Sequence, residues 1–337
     1  MSEIPKVGWG IIGAGDIAHR VMAPAMRECP HSELAAVTRT TLQGAREFAR
    51  MHGARRGYDK LEDLLGDSEV EAVYVATPVA RHLPDTLAAA AAGRHVLCEK
   101  PLALNVAEGE EMEEACRRAG ITFMTCYYQR FNARHRKLKE LLEVGAIGQV
   151  TSARVNFSGR SPVNPKAWRQ NPALGGGGPY MDNASHAVDL LRFFLGDVVE
   201  VAAFTDVLSG DYAVEDTASS LLRMTNGAQA VVTAHWSSGD PDEDRNSMIE
   251  IVGTEGILQS SPLHEKFSRG RLLLATRQGE ERFEFEESTH VQVLTEFAAA
   301  LAEGRDPAIT IQDGVAAQRV VESVYASSRS GRAIRLN

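Results

Sequence analysis

Val7-Gly-Trp-Gly-Ile-Ile-Gly-Ala-Gly-Asp-Ile-Ala18 reads as a short apolar strand running into a glycine-rich turn and the start of a helix. In such a turn several backbone N–H groups converge, which is how a chain presents itself to a pyrophosphate. Gly13 permits the tight turn, and Ala14 and Gly15 carry the backbone past the phosphates, Gly15 without a Cβ in the way. Asp16, Ile17 and Ala18 open the helix, with Ala18 small enough for close packing of helix on strand. The helix start adds the positive end of its dipole. Glycines after a strand also mark plain tight turns, so the reading depends on the segments that come after Ala18.

Those segments alternate strand and helix. A helix near 17–28 leads to the apolar run Leu34 to Thr38, which completes a β-α-β unit, and a helix near 41–52 follows. A helix at 60–66, a strand at 72–77, an alanine-rich helix at 83–92 and the strand His95 to Cys98 continue the rhythm. Asn105 with Glu108 three residues on forms a capping box for a helix that stops at Gly120, and residues 121–126 supply a further strand. This pattern predicts a doubly wound parallel sheet, a Rossmann domain, over 1–126.

Beyond that the pattern changes. A basic helix near 133–144 precedes strand-like stretches at 149–158, 198–208, 216–224, 228–236, 247–253 and 271–275, then two late helices at 289–303 and 312–330. The expectation is a second α/β domain over 127–337 with an open, mainly antiparallel sheet. The late helices either cover that sheet or pack back on the first domain. The glycine run 175–178 and the polar stretch Ser238 to Arg245 read as loops.

Composition narrows the function classes. The 337 residues are 44% hydrophobic and 24% charged, the balance of a globular chain with a sizeable core, and the net charge of −9 excludes an extended nucleic-acid or anionic-membrane surface. Cys29, Cys98, Cys116 and Cys126 are scattered with no C-x-x-C pair, which indicates neither a disulfide framework nor a thiolate metal site and fits a reducing compartment. The amino terminus lacks the apolar core of a signal peptide, and no run approaches the ~18 apolar residues of a membrane span. The expected location is cytoplasmic, with neither membrane nor nucleic acid as partner.

Several constellations carry chemistry. Thr38-Arg39-Thr40 ends the second strand, where an NAD-selective site places an acid on the ribose 2′-hydroxyl. An arginine between two hydroxyls suits a 2′-phosphate instead, so the pattern favours NADP over NAD; the alternative is a solvated Arg39 and an NAD site. Glu99-Lys100-Pro101 follows a strand at the carboxyl edge, where Lys100 can bond a substrate oxygen and steady charge there, or remain solvated. Thr77-Pro78 and His82 sit at the same edge, His82 as a cofactor contact or a helix cap. After the glycine run, Asp182, His186 and Asp189 fall at i, i+4 and i+7. His186 there is a proton-exchanging group oriented by a carboxylate, or a helix-surface histidine bonded to Asp182 or Asp189; the trio as a metal site lacks further converging ligands. Trp168-Arg169 and Tyr127 to Phe131, including Tyr128, are expected at a ligand cleft or in packing between domains.

Taken in order, these segments resemble the glucose–fructose oxidoreductase and inositol dehydrogenase family. The resemblance runs through Gly13-Ala-Gly15, Ala76-Thr-Pro78 with His82, Ala92 to Pro101 with its Glu-Lys-Pro, Tyr127 to Phe131, Gly176 to Gly178 with Asp182, His186 and Asp189, and Asp313-Gly314. It implies a nicotinamide dinucleotide held by the first domain, with Glu99, Lys100, Trp168 and Arg169 toward the cofactor. It also implies catalytic Lys100, Asp182 and His186, which with Tyr127 and Tyr128 face substrate, and a homo-oligomer, dimer or tetramer, formed through the open sheet. The implied reaction is hydride transfer between nicotinamide and a secondary alcohol or ketone of a sugar, sugar derivative or cyclitol. The rival readings are a redox-assisted glycosidase or lyase with tightly held cofactor, and a non-catalytic sensor of dinucleotide and sugar. Ala184 stands where the family pattern commonly has glycine, and Tyr128 where many members have asparagine.

Overall fold

Strands β1 (Val7–Ile12), β2 (Ser32–Thr38), β3 (Arg56–Tyr58), β4 (Ala72–Val75), β5 (His95–Cys98) and β6 (Phe123–Thr125) form a parallel sheet in the order β3-β2-β1-β4-β5-β6. The structure is a computed structural model and describes residues 4–237, 247–263, 270–285 and 288–336. The polar stretch read as a loop at 238–245 and the first three residues of the amino terminus lie outside the described residues. The central strands are apolar throughout because helices cover both faces of the sheet. Trp9, Ile11, Val73, Tyr74, Val75, Val96 and Leu97 are all completely buried. The strand order reverses between β1 and β4, which opens a crevice at their carboxyl ends.

Local chemistry sets the helix boundaries. The side chain of Asn105 accepts the Glu108 N–H at 2.9 Å and caps helix Val106–Ala119, while Glu108 reaches back one residue past the cap to accept the Leu104 N–H at 3.0 Å. It ends on Gly120 with φ of +65°. The helix expected over 17–28 begins instead as a π-turn, Ala18–Met22, before the α-helical Ala23–Glu28. Pro24 at the start of the α-helical part has no N–H to give to the turn before it, and the wider turn accommodates its ring.

The chain does not divide at one point. One compact unit comprises the chain up to Tyr128 together with His290–Val315; the other comprises Gln129–Thr289 and the chain from Ala316 on. Helix Thr289–Glu303 therefore packs within the first unit, where the Phe297 ring lies 4.9 Å from Trp9 of β1. The last helix, Ile311–Ser330, starts in the first unit and continues in the second.

The second unit is built on β7 (Val150–Ser158), β8 (Val198–Asp206), β9 (Thr217–Met224), β10 (Gln229–His235), β11 (Met248–Gly253), β12 (Gly256–Ser261), β13 (Arg271–Thr276), β14 (Gly279–Phe283) and β15 (Ile334–Arg335). Their order is β14-β13-β12-β11-β7-β10-β9-β8-β15, antiparallel except for the parallel pair β7 and β10. Alternation along β9 buries Ala218, Ser220, Leu222 and Met224 on one face. Helix Ser185–Leu195 packs on β7 and β10, and helix Ala133–Glu143 on β12 and β13. The opposite face leaves Phe204, Leu221 and Val231 exposed.

In helix Ala133–Glu143, His135 is buried with Nδ1 2.9 Å from the Gln129 carbonyl. Burial, with the charge of Arg134 beside it, pushes its pKa down to about 3. The unfolded chain takes up a proton at His135 below about pH 6.5 and the folded chain does not, so this stability is complete above that pH and is lost toward about pH 3. The unfolding free energy from urea titrations is expected to fall from pH 6.5 to pH 5 by up to about 1.4 kcal/mol per pH unit from this group. His135→Asn, which keeps a donor but does not titrate, should flatten that slope; an unchanged slope would assign the acid sensitivity elsewhere.

Candidate active site

The glycine-rich turn sits at the carboxyl end of β1, beside the end of β4. Gly13 has φ of +79°, and an added Cβ would lie 2.6 Å from the Thr77 methyl carbon. Thr38 is buried and its hydroxyl accepts the Gly13 N–H at 3.3 Å, while its carbonyl accepts the Ala14 N–H at 3.0 Å. Thr38 thus holds the turn from beneath instead of facing a ligand as expected. Gly15 is exposed, and a Cβ there would meet only the Gly13 carbonyl, at 3.7 Å. Alongside lies a cavity of about 310 Å³ lined by Ala14, Gly15, Asp16, His19, Arg39 and Phe48, with Glu47 and Met51 at its edge. Arg39 and Thr40 are exposed, Ile17 is half-buried, and Asp16 pairs with Arg20 at 3.2 Å. The residues fit a dinucleotide: backbone without side chains at the turn, a helix start, and a cavity wall carrying a guanidinium.

At the ends of β4 and β5 a buried network sets the backbone. His82 is fully buried, with Nε2 3.0 Å from the Thr77 carbonyl and Nδ1 3.1 and 3.2 Å from the Pro101 and Leu102 carbonyls. Burial holds its pKa below the ordinary value. Both nitrogens face backbone, so His82, expected as a cofactor contact or a helix cap, ties the exit of β4 to the chain just after Lys100. Thr77 donates to the buried Asp85 at 2.8 Å, and Pro78 leads into the next turn. Glu99 also turns inward: it accepts the Tyr74 hydroxyl and, at 3.2 Å, the Lys100 N–H. Its carboxylate is a support beneath Lys100, not the expected ligand contact. Burial pushes the Tyr74 phenol and the Cys98 and Cys126 thiols well up, the Glu99 charge adding to it, so none of them is a ready nucleophile. Lys100 itself is half-buried. Tyr127 is completely buried, and the half-buried Tyr128 lies against the His290 ring at 4.5 Å.

In the second unit, the turn Trp168–Gln170 stacks the Arg169 guanidinium 4.3 Å over the Trp168 ring. Arg169 Nε reaches Asp182 at 3.4 Å. Asp182 lies in a π-turn, Tyr180–Ala184, with Ala184 fully buried, and helix Ser185–Leu195 comes next with His186 near its start. π-Turns inside helices recur at functional sites. His186 is 4% exposed and its ring stacks at 6.4 Å on Phe157 of β7. The sequence placed Asp189 on the same face, but the structure gives it a different task. Arg130 binds it with Nε at 3.0 Å and Nη2 at 2.6 Å, a two-pronged buried pair that anchors the helix. Among the described residues no group of three or more His, Cys, Asp or Glu side chains is arranged to hold a metal ion.

Residues 7–127 match the model of the oxidoreductase family with an NAD-binding Rossmann fold, and residues 135–259 match the GFO/IDH/MocA C-terminal domain. The 1,5-anhydro-D-fructose reductase of Ensifer adhaerens is 30% identical over 97% of this chain and 98% of its own. The NADP(+) D-xylose 1-dehydrogenase 2 of Haloferax volcanii is 32% identical over 98% of this chain and 99% of its own. The crystal structure of aldose-aldose oxidoreductase from Caulobacter crescentus, complexed with glycerol, superposes with a TM-score of 0.91 at 30% identity, covering 98% of this chain and all of that one. The chain belongs to the GFO/IDH/MocA family of NAD(P)-dependent oxidoreductases.

Gly13→Ala would force a side chain into left-handed backbone and against Thr77. We expect the affinity for reduced dinucleotide, followed by nicotinamide fluorescence, to fall by about tenfold or more. Binding at the native affinity would mean that the turn is not the phosphate cradle.

Proposed function

We propose that this oxidoreductase interconverts a secondary alcohol and a ketone of a sugar, sugar derivative or cyclitol. The observation that carries the reading is Asp182, held by Arg169, four residues ahead of a buried His186 in a chain whose other unit bears the dinucleotide turn. The bound nicotinamide dinucleotide supplies the redox chemistry by giving or taking a hydride. His186 takes the hydroxyl proton or returns it, Asp182 orients the imidazole, and Lys100 steadies charge on the reacting oxygen. Arg169 keeps Asp182 in place through an ion pair and itself rests on Trp168. Tyr128 offers an aromatic surface to the substrate. The sugar reductase and dehydrogenase relatives support the substrate class.

The preferred dinucleotide in this proposal is NADP, with NAD as the weaker ligand. Arg39 on the cavity wall supports a 2′-phosphate there. The enzyme acts in the cytoplasm on a small molecule rather than on nucleic acid, readings supported by four free, buried cysteines and by the acidic net charge. It works as a homo-oligomer whose copies meet on the sheet face carrying Phe204, Leu221 and Val231.

Two measurements test this reading. His186→Asn should lower kcat by ~10²–10⁴-fold and leave dinucleotide binding intact; native turnover would remove His186 from the chemistry. In titrations of the native chain NADPH should bind more tightly than NADH, and Arg39→Ala should weaken NADPH by about tenfold while leaving NADH within about twofold. Equal loss for both would make Arg39 an adenine contact instead of a phosphate ligand.

A further inference from the structure

The helix that carries His186 begins without a cap of its own. Pro179 stands at its N-cap with no side-chain hydrogen bond, and Gly178 before it has no side chain to offer. The first N–H groups of a helix have no partner within it, and in a buried place they need one. The partner comes from 37 residues away. Glu215, just before β9, accepts the Gly178 N–H on Oε2 at 2.9 Å and the Tyr180 N–H on Oε1 at 3.1 Å. Oε1 also accepts the hydroxyl of Tyr325, from the last helix, at 2.8 Å. The Glu215 side chain is buried, which pushes its pKa up, and three donors together with the positive helix end offset part of that cost.

The glycine run exists in part to admit this carboxylate. A Cβ on Gly178 would collide with the Glu215 carbonyl oxygen, and one on Gly177 with the Tyr325 hydroxyl. Tyr180 is pinned as well, by a 2.7 Å hydrogen bond between its hydroxyl and that of Ser220 of β9. The carbonyl of Gly178, whose N–H Glu215 holds, accepts the N–H of Asp182 at 3.0 Å. One residue thus separates the Glu215 carboxylate from the backbone of Asp182. A local capping side chain would satisfy these N–H groups within the turn alone; a carboxylate from the strand connection instead ties the turn to the sheet.

We propose that Glu215 is a positioning residue for the chemistry at Asp182 and His186. Its carboxylate fixes the segment Gly178 to Tyr180 that leads into the turn carrying Asp182 and the helix carrying His186, and Tyr325 fixes the carboxylate. This inference rests on the reading of His186 as the group that exchanges the substrate proton.

The test uses the full-length enzyme. In Glu215→Gln the amide keeps one acceptor and turns an NH2 toward the other N–H, so one backbone bond is lost. We expect kcat to fall by about tenfold or more, KM for the dinucleotide to stay within about twofold, and amide hydrogen exchange in 178–186 to rise by about tenfold or more with little change elsewhere. Native kcat, or unchanged exchange in that segment, would overturn the proposal. Tyr325→Phe serves if the first variant does not fold, because it keeps both backbone bonds. Burial raises the pKa of Glu215 and the Tyr325 donor lowers it, so losing that donor should move the acid limb of kcat to higher pH by about half a unit or more. An acid limb that stays in place would overturn the proposal too. Failure of the underlying reading is visible separately, as native turnover in His186→Asn, while the exchange measurement still reports on the clamp.

Discussion

A helix start leaves backbone N–H groups that must find acceptors, and the chemistry of this chain is organised around that constraint. Two helices matter for function, and neither begins with a side-chain cap: Ile17 and Pro179 at the two N-caps make no such bond. In the second unit the acceptors are built in, as the carboxylate of Glu215. In the first unit the same kind of helix start borders a cavity walled by Ala14, Gly15 and Arg39, where the oxygens of a diphosphate would play that part. One helix start is closed by the protein's own carboxylate, ahead of Asp182 and His186; the other opens beside a cavity of the first unit. Both begin with a π-turn, so in both the first residues are set apart from the regular helix behind them.

A similar division of labour separates the residues at the strand ends from the buried ones that hold them. Thr38, His82 and Glu99 lie at the carboxyl ends of the first unit's strands, and each spends its polar atoms on backbone or on a buried phenol. They determine where Gly13, Thr77 and Lys100 stand. In the second unit Arg130 does for the His186 helix, through Asp189, what Glu215 does for its first turn. These buried polar groups fix geometry, and the charges among them are costly to bury unless well partnered.

Where function was legible in the sequence, a short local pattern carried it. The strand-turn-helix at Val7 to Ala18 and the Asn105/Glu108 capping box are complete within a dozen residues, and their geometry follows from those residues alone. The spacing of Asp182 and His186 was equally visible, although the π-turn alters the face that an ideal helix would give them. What escaped is long-range. Nothing near Asp189 announces Arg130, and nothing near the glycine run announces Glu215 or Tyr325. Strands β12 and β14 are short and carry serine, glutamine or charged residues, so their pairing with β11 and β13 supplies what their own propensity lacks. The return of Thr289–Glu303 to the first unit leaves no local trace, because an apolar helix fits either core.

That return has a consequence for how the protein is made. Trp9 leaves the ribosome long before its ring partner Phe297, which lies 288 residues further along the chain. At ordinary rates of translation this is a wait of roughly 15 to 60 s. From the emergence of β6 until that of Phe297 the nascent chain holds all six strands of the first sheet with the Trp9 ring still without this partner. Helix Thr289–Glu303 thus closes the first unit late in biosynthesis, and a transcript truncated before residue 290 would yield a first unit that never acquires its cover.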